Sequence, residues 1–298
     1  MTSILILNAN GELHLDRCIE SVVKHTSLPR YELIVVDNGS TDGSMDYLMG
    51  LRMPNLTVVS NPKNLGCPTG RAQGMALSVG RHICLLDNDT VVTPHWLERL
   101  AAHLDRDPTR GVVGPITNYA GGIQGYGSQG APTDAMYEAG LDYHADELYI
   151  QGAELETRLR QTSRLIGFCM LIDRRVVDAI GSIDGSFGKY GFEDDDYTWR
   201  ARCAGFRPAV DQRVYIHHTG GAGQAASNVD YSEEMGKGWA QFSDKWGLPD
   251  GMTFEDYCDL TGRFELIEPY ADHHFIPMMK LSEVCPLIAH RTERTPNG

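Results

Sequence analysis

The chain reads as an α/β protein: a mostly parallel central sheet flanked by helices, followed by a C-terminal helical extension. Three observations predict this. Short apolar runs alternate with segments of helical period over the first third of the sequence. Those runs end on polar residues and glycine, the punctuation of a strand entering a turn. At 298 residues the chain can bury a large core without cross-links.

The elements follow in order. "ILILN" (4–8) is a strand, "LHLDRCIESVVK" (13–24) a helix, and "YELIVVDNGSTDG" (31–43) a strand that runs into a turn. A helix near 44–51, the strand "LTVVS" (56–60), a helix over about 68–79 and the strand "HICLL" (82–86) complete a βαβαβαβ series. Such a series builds parallel strands covered on both faces. In "TPHWLERL", Thr93 is the expected helix N-cap and Pro94 opens the first turn. "NYAGGIQGYGSQGAPTD" (118–134) is Gly-rich and aperiodic; together with the segment up to about 163 it reads as a lid or acceptor loop. Further on come a helix over 193–202, with Trp199 and Cys203 one turn apart, a strand in "RVYIHHTGGAG" (213–223) and a helix in 231–249. The tail from 250 to 298 carries no interpretable motif.

Composition narrows the partners. A formal net charge of -14 argues against binding a nucleic-acid backbone, which rests on Lys and Arg neutralising phosphates. The 7 cysteines form no C-x-x-C pair and several lie in apolar runs, as expected in a reducing compartment. Neither a signal peptide nor a transmembrane segment is evident, so a cytoplasmic location is expected, with peripheral membrane association left open.

Right-handed crossovers place the carboxyl ends of parallel strands along one sheet edge, where ligands of open α/β sheets bind. The ends here are Asn8-Ala9-Asn10-Gly11, Asp37-Asn38-Gly39-Ser40 and Asp87-Asn88-Asp89. Two carboxylates one residue apart can bind a hard divalent cation, and Mg²⁺ commonly takes one or two carboxylates plus substrate phosphates. The plainer role, capping the next helix, is already assigned to Thr93.

A second acidic cluster runs from Glu193 to Asp196. Acids at a helix N-terminus complement the macrodipole, and Asp196–Arg200 is an i, i+4 pair. Four consecutive acids exceed what capping requires, and crowding raises proton affinity, as a general base needs. His217 and His218 alternate along a strand, so at most one ring points into a site; the "H-T-G-G" context favours His218.

"ILILNANG", "ELIVVDNGSTDGS", "NLGCPTGRAQG", "LLDNDTVVTPHWLERL", "GFCMLIDRRVVDAIG" and "YGFEDDDYTWRARCAGFR" resemble, in order and spacing, the motifs of family 2 glycosyltransferases with the GT-A fold, whose mostly parallel sheet is Rossmann-like. The resemblance covers about residues 3–247. It implies a nucleoside-diphosphate sugar donor, Mn²⁺ or Mg²⁺, and inversion at the anomeric carbon. By position, Asp37 resembles the aspartate that hydrogen-bonds the base. Asn8 and Asn10 would form the base and ribose wall, and Asn38 and Asn88 flank the nucleotide sugar. Arg71 falls near the nucleotide; Ala72 stands where an asparagine is frequent, and Ala9 where many members carry an aromatic residue. Asp87 and Asp89 match the D-x-D positions, with Asp89 the direct metal ligand. His218, before His217, matches a further metal ligand. Glu193 and Asp194 match the E-D motif, Asp194 being the general base on the acceptor hydroxyl and Glu193 its support.

The resemblance therefore implies a hexosyltransferase (EC 2.4) with a UDP-linked donor and a hydroxyl acceptor on a glycan, protein or small molecule. The expected boundaries are a GT-A catalytic domain at 1–224, with its nucleotide-sugar part at about 1–115 and its acceptor part at about 116–224, and the extension at 225–298. A GT-A-like nucleotidyltransferase would carry a Gly-rich, Arg-containing loop where "NANGELHLD" stands. A non-catalytic sugar-nucleotide or glycan-binding scaffold would be expected to lose Asp89 or the acids near Asp194, and both remain.

Overall fold

Strands buried on both faces need near-continuous apolar runs, and the first strands have them. In the computed structural model, which describes residues 1–27, 30–126, 140–151, 158–221, 230–261 and 274–292, the predicted series appears as β1 (Thr2–Asn8), α1 (Glu12–His25), β2 (Tyr31–Asp37), α2 (Ser44–Gly50), β3 (Leu56–Ser60), α3 (Cys67–Leu77) and β4 (His82–Asp87). Alternate residues serve opposite layers: Ile4, Ile6, Leu33, Val35, Cys84 and Leu86 pack in one core, and Leu5, Ile34, Val36, Ile83 and Leu85 in the other. Leu15, Cys18, Ile19 and Val22 of α1 close the first core. Met75 and Leu77 of α3 close the second.

The remainder comprises β5 (Thr90–Val91), α4 (Trp96–Arg106), β6 (Val112–Ile116), α5 (Gly140–Gln151), β7 (Leu159–Gln161), β8 (Cys169–Asp173), α6 (Arg174–Ile180), α7 (Glu193–Cys203), β9 (Ala209–Tyr215), β10 (His217–His218), α8 (Tyr231–Trp246), α9 (Phe254–Thr261), α10 (Leu281–Val284) and β11 (Ile288–Arg291). The main sheet has the order β11-β3-β2-β1-β4-β8-β6-β9-β7. β1 to β4 run parallel, as do β6 and β9, while β8 is inserted antiparallel between β4 and β6. The register sets Asn8 beside Asp37 and Leu7 beside Asp87, so the first, second and fourth strand ends share one edge.

Three local expectations change. Thr93 does not cap α4: the helix starts at Trp96 after His95 in the left-handed region (φ 62), and the Thr93 hydroxyl donates to the Tyr215 carbonyl at 2.6 Å. A tertiary contact to the end of β9 outweighs the local cap. The tail is not helical throughout, because β11 pairs antiparallel with β3 and extends the sheet. The expected loop over 118–163 is partly regular: residues 118–126 include a 3-10 turn at Gly122–Gln124, α5 and β7 occupy Gly140–Gln151 and Leu159–Gln161, and 127–139 and 152–157 lie outside the described residues.

A third apolar cluster joins α7 to the C-terminal helices. Phe192, Trp199, Phe242, Trp246 and Tyr257 are buried together there, with neighbouring ring centroids 5.3–5.9 Å apart. Phe192 holds φ at 71°, unusual for a bulky residue, immediately before the acidic run. Strained backbone of this kind persists only where packing over-determines it, and it concentrates at functional sites.

Candidate active site

The strand ends open into a cleft of about 430 Å³, inside the ~300–1,000 Å³ range of small-molecule sites. Asp87 at the tip of β4 and Asp89 two residues on project into it. The short β10–β5 ladder pairs His218 with Thr90 and delivers His218 to the same point. Ligand atoms of Asp87, Asp89 and His218 all lie within 4.8 Å of one another. His218 Nε2 is 3.1 Å from Asp89 Oδ1, and Nδ1 lies 3.0 Å from the Tyr119 carbonyl, which can only accept. Fixing the proton on Nδ1 turns Nε2 inward, the arrangement a ligating imidazole needs.

The electrostatics fit a cation. Burial raises the Asp87 pKa against the pull of Arg71, and the Asp89 charge adds to the rise. Burial alone would lower His218, but its hydrogen bond to Asp89 and the charges of Asp89 and Asp87 raise it overall. Two carboxylates and one imidazole form a donor set suited to Mn²⁺ or Mg²⁺. His217 is placed elsewhere: buried, with Nδ1 3.3 Å from the Tyr215 hydroxyl and outside this cluster.

Beside the trio, Arg71 joins the two acidic motifs. Its Nη2 donates to Asp87 Oδ1 at 2.7 Å and to the Gly167 carbonyl at 2.9 Å, while Nη1 donates to Glu193 Oε1 at 2.9 Å. A side chain at Gly167 would push the guanidinium aside, because a Cβ would stand 2.3 Å from Arg71 Nη1. The amide of the same glycine donates to Asp194 Oδ2 at 2.7 Å, and Asp195 N donates to Asp194 Oδ1 at 2.9 Å. Burial, eased by Arg71 and reinforced by Asp194, pushes the Glu193 carboxyl up to about 7.

The four consecutive acids have separate tasks. Asp195 accepts from Arg164 Nε at 2.8 Å and from the Tyr257 hydroxyl at 2.9 Å. Burial pushes it up to about 6. Asp196 binds Arg200, Lys245 and the Trp246 indole, anchoring α7 to α8. Only Glu193 and Asp194 line the cleft.

On the nucleotide side the predicted residues divide. Asn8 and Asp37 are buried behind the wall: Asn8 Nδ2 donates to Asp37 Oδ2 at 3.1 Å, and Asn8 Oδ1 accepts from Asn88 Nδ2 at 2.7 Å. Asn10 sits in the left-handed region and accepts from Thr41 N at 2.7 Å. These three brace the strand ends. Asn38 and Asn88 reach the cleft, together with Ala9 and Asn64. Asn64 was not singled out from the sequence, although it stands in "NPKNLG" just after the end of β3, where the strand-end rule applies equally. Arg164, Tyr119 and Tyr231 were missed too. No periodicity marks them, because they come from loops and a helix start that only the tertiary fold brings together.

A family profile described as "Glycosyl transferase family 2" matches residues 3–181, more than half of the chain. The chain belongs to glycosyl transferase family 2. An uncharacterized glycosyltransferase of Haemophilus influenzae is 26% identical over 109 residues, 36% of this chain and 33% of the relative. The chain spans between about a quarter and a half of the length of such curated relatives. Among solved structures, a mannosyltransferase from Pyrobaculum calidifontis in complex with GDP-Man and Mn²⁺ superposes with a TM-score of 0.59 at 16% identity, covering 89% of this chain and 71% of that one. GalNAc-T7 with UDP, GalNAc and Mn²⁺ gives 0.58 at 19% identity, covering 73% and 43%. At these identities the family 2 chain shares the fold with both. Among its described residues no helix is long and apolar enough to cross a membrane.

Proposed function

We propose that this family 2 chain is a metal-dependent inverting glycosyltransferase that moves a sugar from a nucleoside diphosphate, UDP first among them, to an acceptor hydroxyl. One observation carries the reading: the Asp87–Asp89–His218 trio and the Asp194 carboxylate face the same cleft, with Arg71 linking the two sides. Mn²⁺ or Mg²⁺ would be held by Asp87, Asp89 and His218, where it would neutralise charge growing on the diphosphate leaving group. The solved neighbours bind UDP and GDP-Man with Mn²⁺, which supports a nucleotide-sugar donor without choosing the base.

The chain's own groups supply the remainder. Asp194, gripped by the amides of Gly167 and Asp195, is fixed in orientation and takes the acceptor proton. Arg71 keeps Asp87 and Glu193 from facing each other as uncompensated charges. Asn38, Asn64 and Asn88 offer uncharged polar groups to the nucleoside.

Calorimetric titration of UDP, GDP and dTDP, with and without Mn²⁺, tests the reading on the wild type and Asp89→Ala. One nucleotide is expected to bind only with metal and to lose at least tenfold in affinity in the variant. Metal-independent binding that survives Asp89→Ala would remove the donor site from the trio.

A further inference from the structure

The cleft has a second wall that the donor side does not use. Opposite the strand ends stand Tyr190, Tyr231 at the start of α8, Phe254 at the start of α9, and Arg164. Tyr231 is 40% exposed although it lines a cleft, and its ring lies 6.5 Å from that of Tyr190, tilted by 58°. Phe254 is half-buried: it packs against Phe192 at 5.3 Å and Trp239 at 5.9 Å, with the Arg164 guanidinium 5.3 Å from its ring centre, and turns only its remaining surface to the cleft. Aromatic surface left exposed inside a cleft, that of Tyr231 above all, costs burial energy unless something flat and partly apolar covers it.

The polar groups on this wall narrow what that is. Among the described residues, Nε is the only side-chain atom of Arg164 with a hydrogen-bond partner, Asp195. Its Nη donors are thus available beside the aromatic rings. The Arg164 charge is balanced by Asp195 and by the nearby Asp194, so the wall does not call for an anion. It offers aromatic surface, the donors of a charge-balanced guanidinium and the Asp194 carboxylate in one cleft. A pyranose ring matches: one face carries C–H bonds, electropositive enough to lie on the negative face of an aromatic ring, and its edge carries hydroxyls. An extended peptide would seek the free backbone of a strand edge, whereas Tyr231 and Phe254 come from helices.

We propose that Tyr190, Tyr231, Phe254 and Arg164 form the acceptor subsite, and that the acceptor is a neutral pyranose of a glycan stacked on the aromatic wall. This rests on Asp194 acting as the base. In the transfer, the acceptor O–H bond breaks and its proton passes to the Asp194 carboxylate as the acceptor oxygen bonds to the donor's anomeric carbon. The bond from that carbon to the diphosphate breaks, and the nucleoside diphosphate leaves with the electron pair. Residues beyond 224 would then complete the site, because Tyr231 and Phe254 lie there.

The test is binding of the full chain, loaded with UDP and Mn²⁺, to an array of neutral and acidic glycans, with a Ser/Thr peptide array and phosphatidylglycerol vesicles as comparators. Neutral glycans are expected to bind. Tyr231→Ala and Phe254→Ala should each lower that signal at least tenfold while leaving UDP–Mn²⁺ affinity within twofold, which also reports that the variants fold. Tyr143→Ala, at an exposed position on α5, should change neither. Preference for peptides, vesicles or acidic glycans would overturn the proposal, as would glycan binding indifferent to both substitutions or no binding to any array. If UDP binding persists in those cases, the donor reading stands and the acceptor inference alone fails.

Discussion

Arg71→Met removes the one cation that Asp87 and Glu193 share. Arg71 is 7% exposed and donates three hydrogen bonds of 2.7–2.9 Å, two of them to carboxylates. Deleting one partner of a buried ion pair costs about 3–5 kcal/mol, because the stranded charge stays desolvated. The loss depends on pH through Glu193, whose carboxyl titrates near 7 instead of its ordinary 4.5. At pH 5 Glu193 is largely protonated and adds no stranded charge; toward pH 8 it ionises and does. If losing Arg71 lifts Glu193 by one further unit, the penalty at pH 8 exceeds that at pH 5 by about 1 kcal/mol, approaching about 1.4 kcal/mol only above pH 9. Urea unfolding with EDTA at both pH values measures this. Adding Glu193→Gln should recover the pH-dependent part. A penalty below about 1 kcal/mol at pH 8, or the same penalty at both pH values, would refute the bridging role.

The wild type itself should lose stability as pH rises. A carboxyl raised in the folded state contributes fully below about 4.5 and loses that contribution as pH passes 7, on the order of 3 kcal/mol for Glu193, so Glu193→Gln should flatten the urea midpoint between pH 5 and 8. Asp194→Asn should lower kcat by about 10²–10⁴ while UDP–Mn²⁺ affinity stays within twofold by calorimetry; an unchanged kcat places the base elsewhere. Asn118 grips the His218 backbone from both sides, accepting from its N at 2.9 Å and donating to its O at 3.0 Å, so Asn118→Ala should weaken Mn²⁺ binding by roughly 10–100-fold, as loss of an outer partner does. Equal Mn²⁺ affinities would show that β10 needs no such pin. Gly167→Ala should reproduce much of the Arg71→Met loss, since its Cβ would stand 2.3 Å from Nη1; an unaltered unfolding midpoint would show that the loop yields freely.

The parallel half of the fold was legible because its signals are local. Each strand from β1 to β4 is a short apolar run with a polar stop, and its partner follows from the crossover rule. β8 carries an equally apolar run, yet nothing local says that it enters antiparallel between β4 and β6. That depends on how the chain returns after residue 126. β11 was unreadable for a related reason: its "IAHR" is too short and too polar to announce a strand, and it forms because β3 leaves an edge to cover.

At the site the motifs located the acids but could not divide the labour among them. Sequence gives Asp194, Asp195 and Asp196 the same chemistry, and helical period separates them by only 100° each. The separation of roles comes from what each meets: the Gly167 amide, Arg164 and Tyr257, or Arg200 and Lys245. The first contact leaves a carboxylate open to the cleft, and the other two hold theirs within the protein. Asp37 illustrates the converse. A motif aspartate at a strand end lies 1% exposed, tied to Asn8 and Ser40, a burial that its position along the sequence did not announce.

Arg71 explains how so many acids can gather at one sheet edge. Asp87, Asp89, Glu193 and Asp194 line a single cleft, and one buried guanidinium pairs with two of them. A second cation at the trio would relieve the repulsion between Asp87 and Asp89, and Asp87 could then draw less on Arg71. Arg71 also donates to the carbonyl of Gly167, whose own amide holds Asp194, so charge at the trio and the placement of Asp194 are joined by a path of three hydrogen bonds. A cation held at the trio would thereby be coupled, through groups already in contact, to the carboxylate proposed as the base.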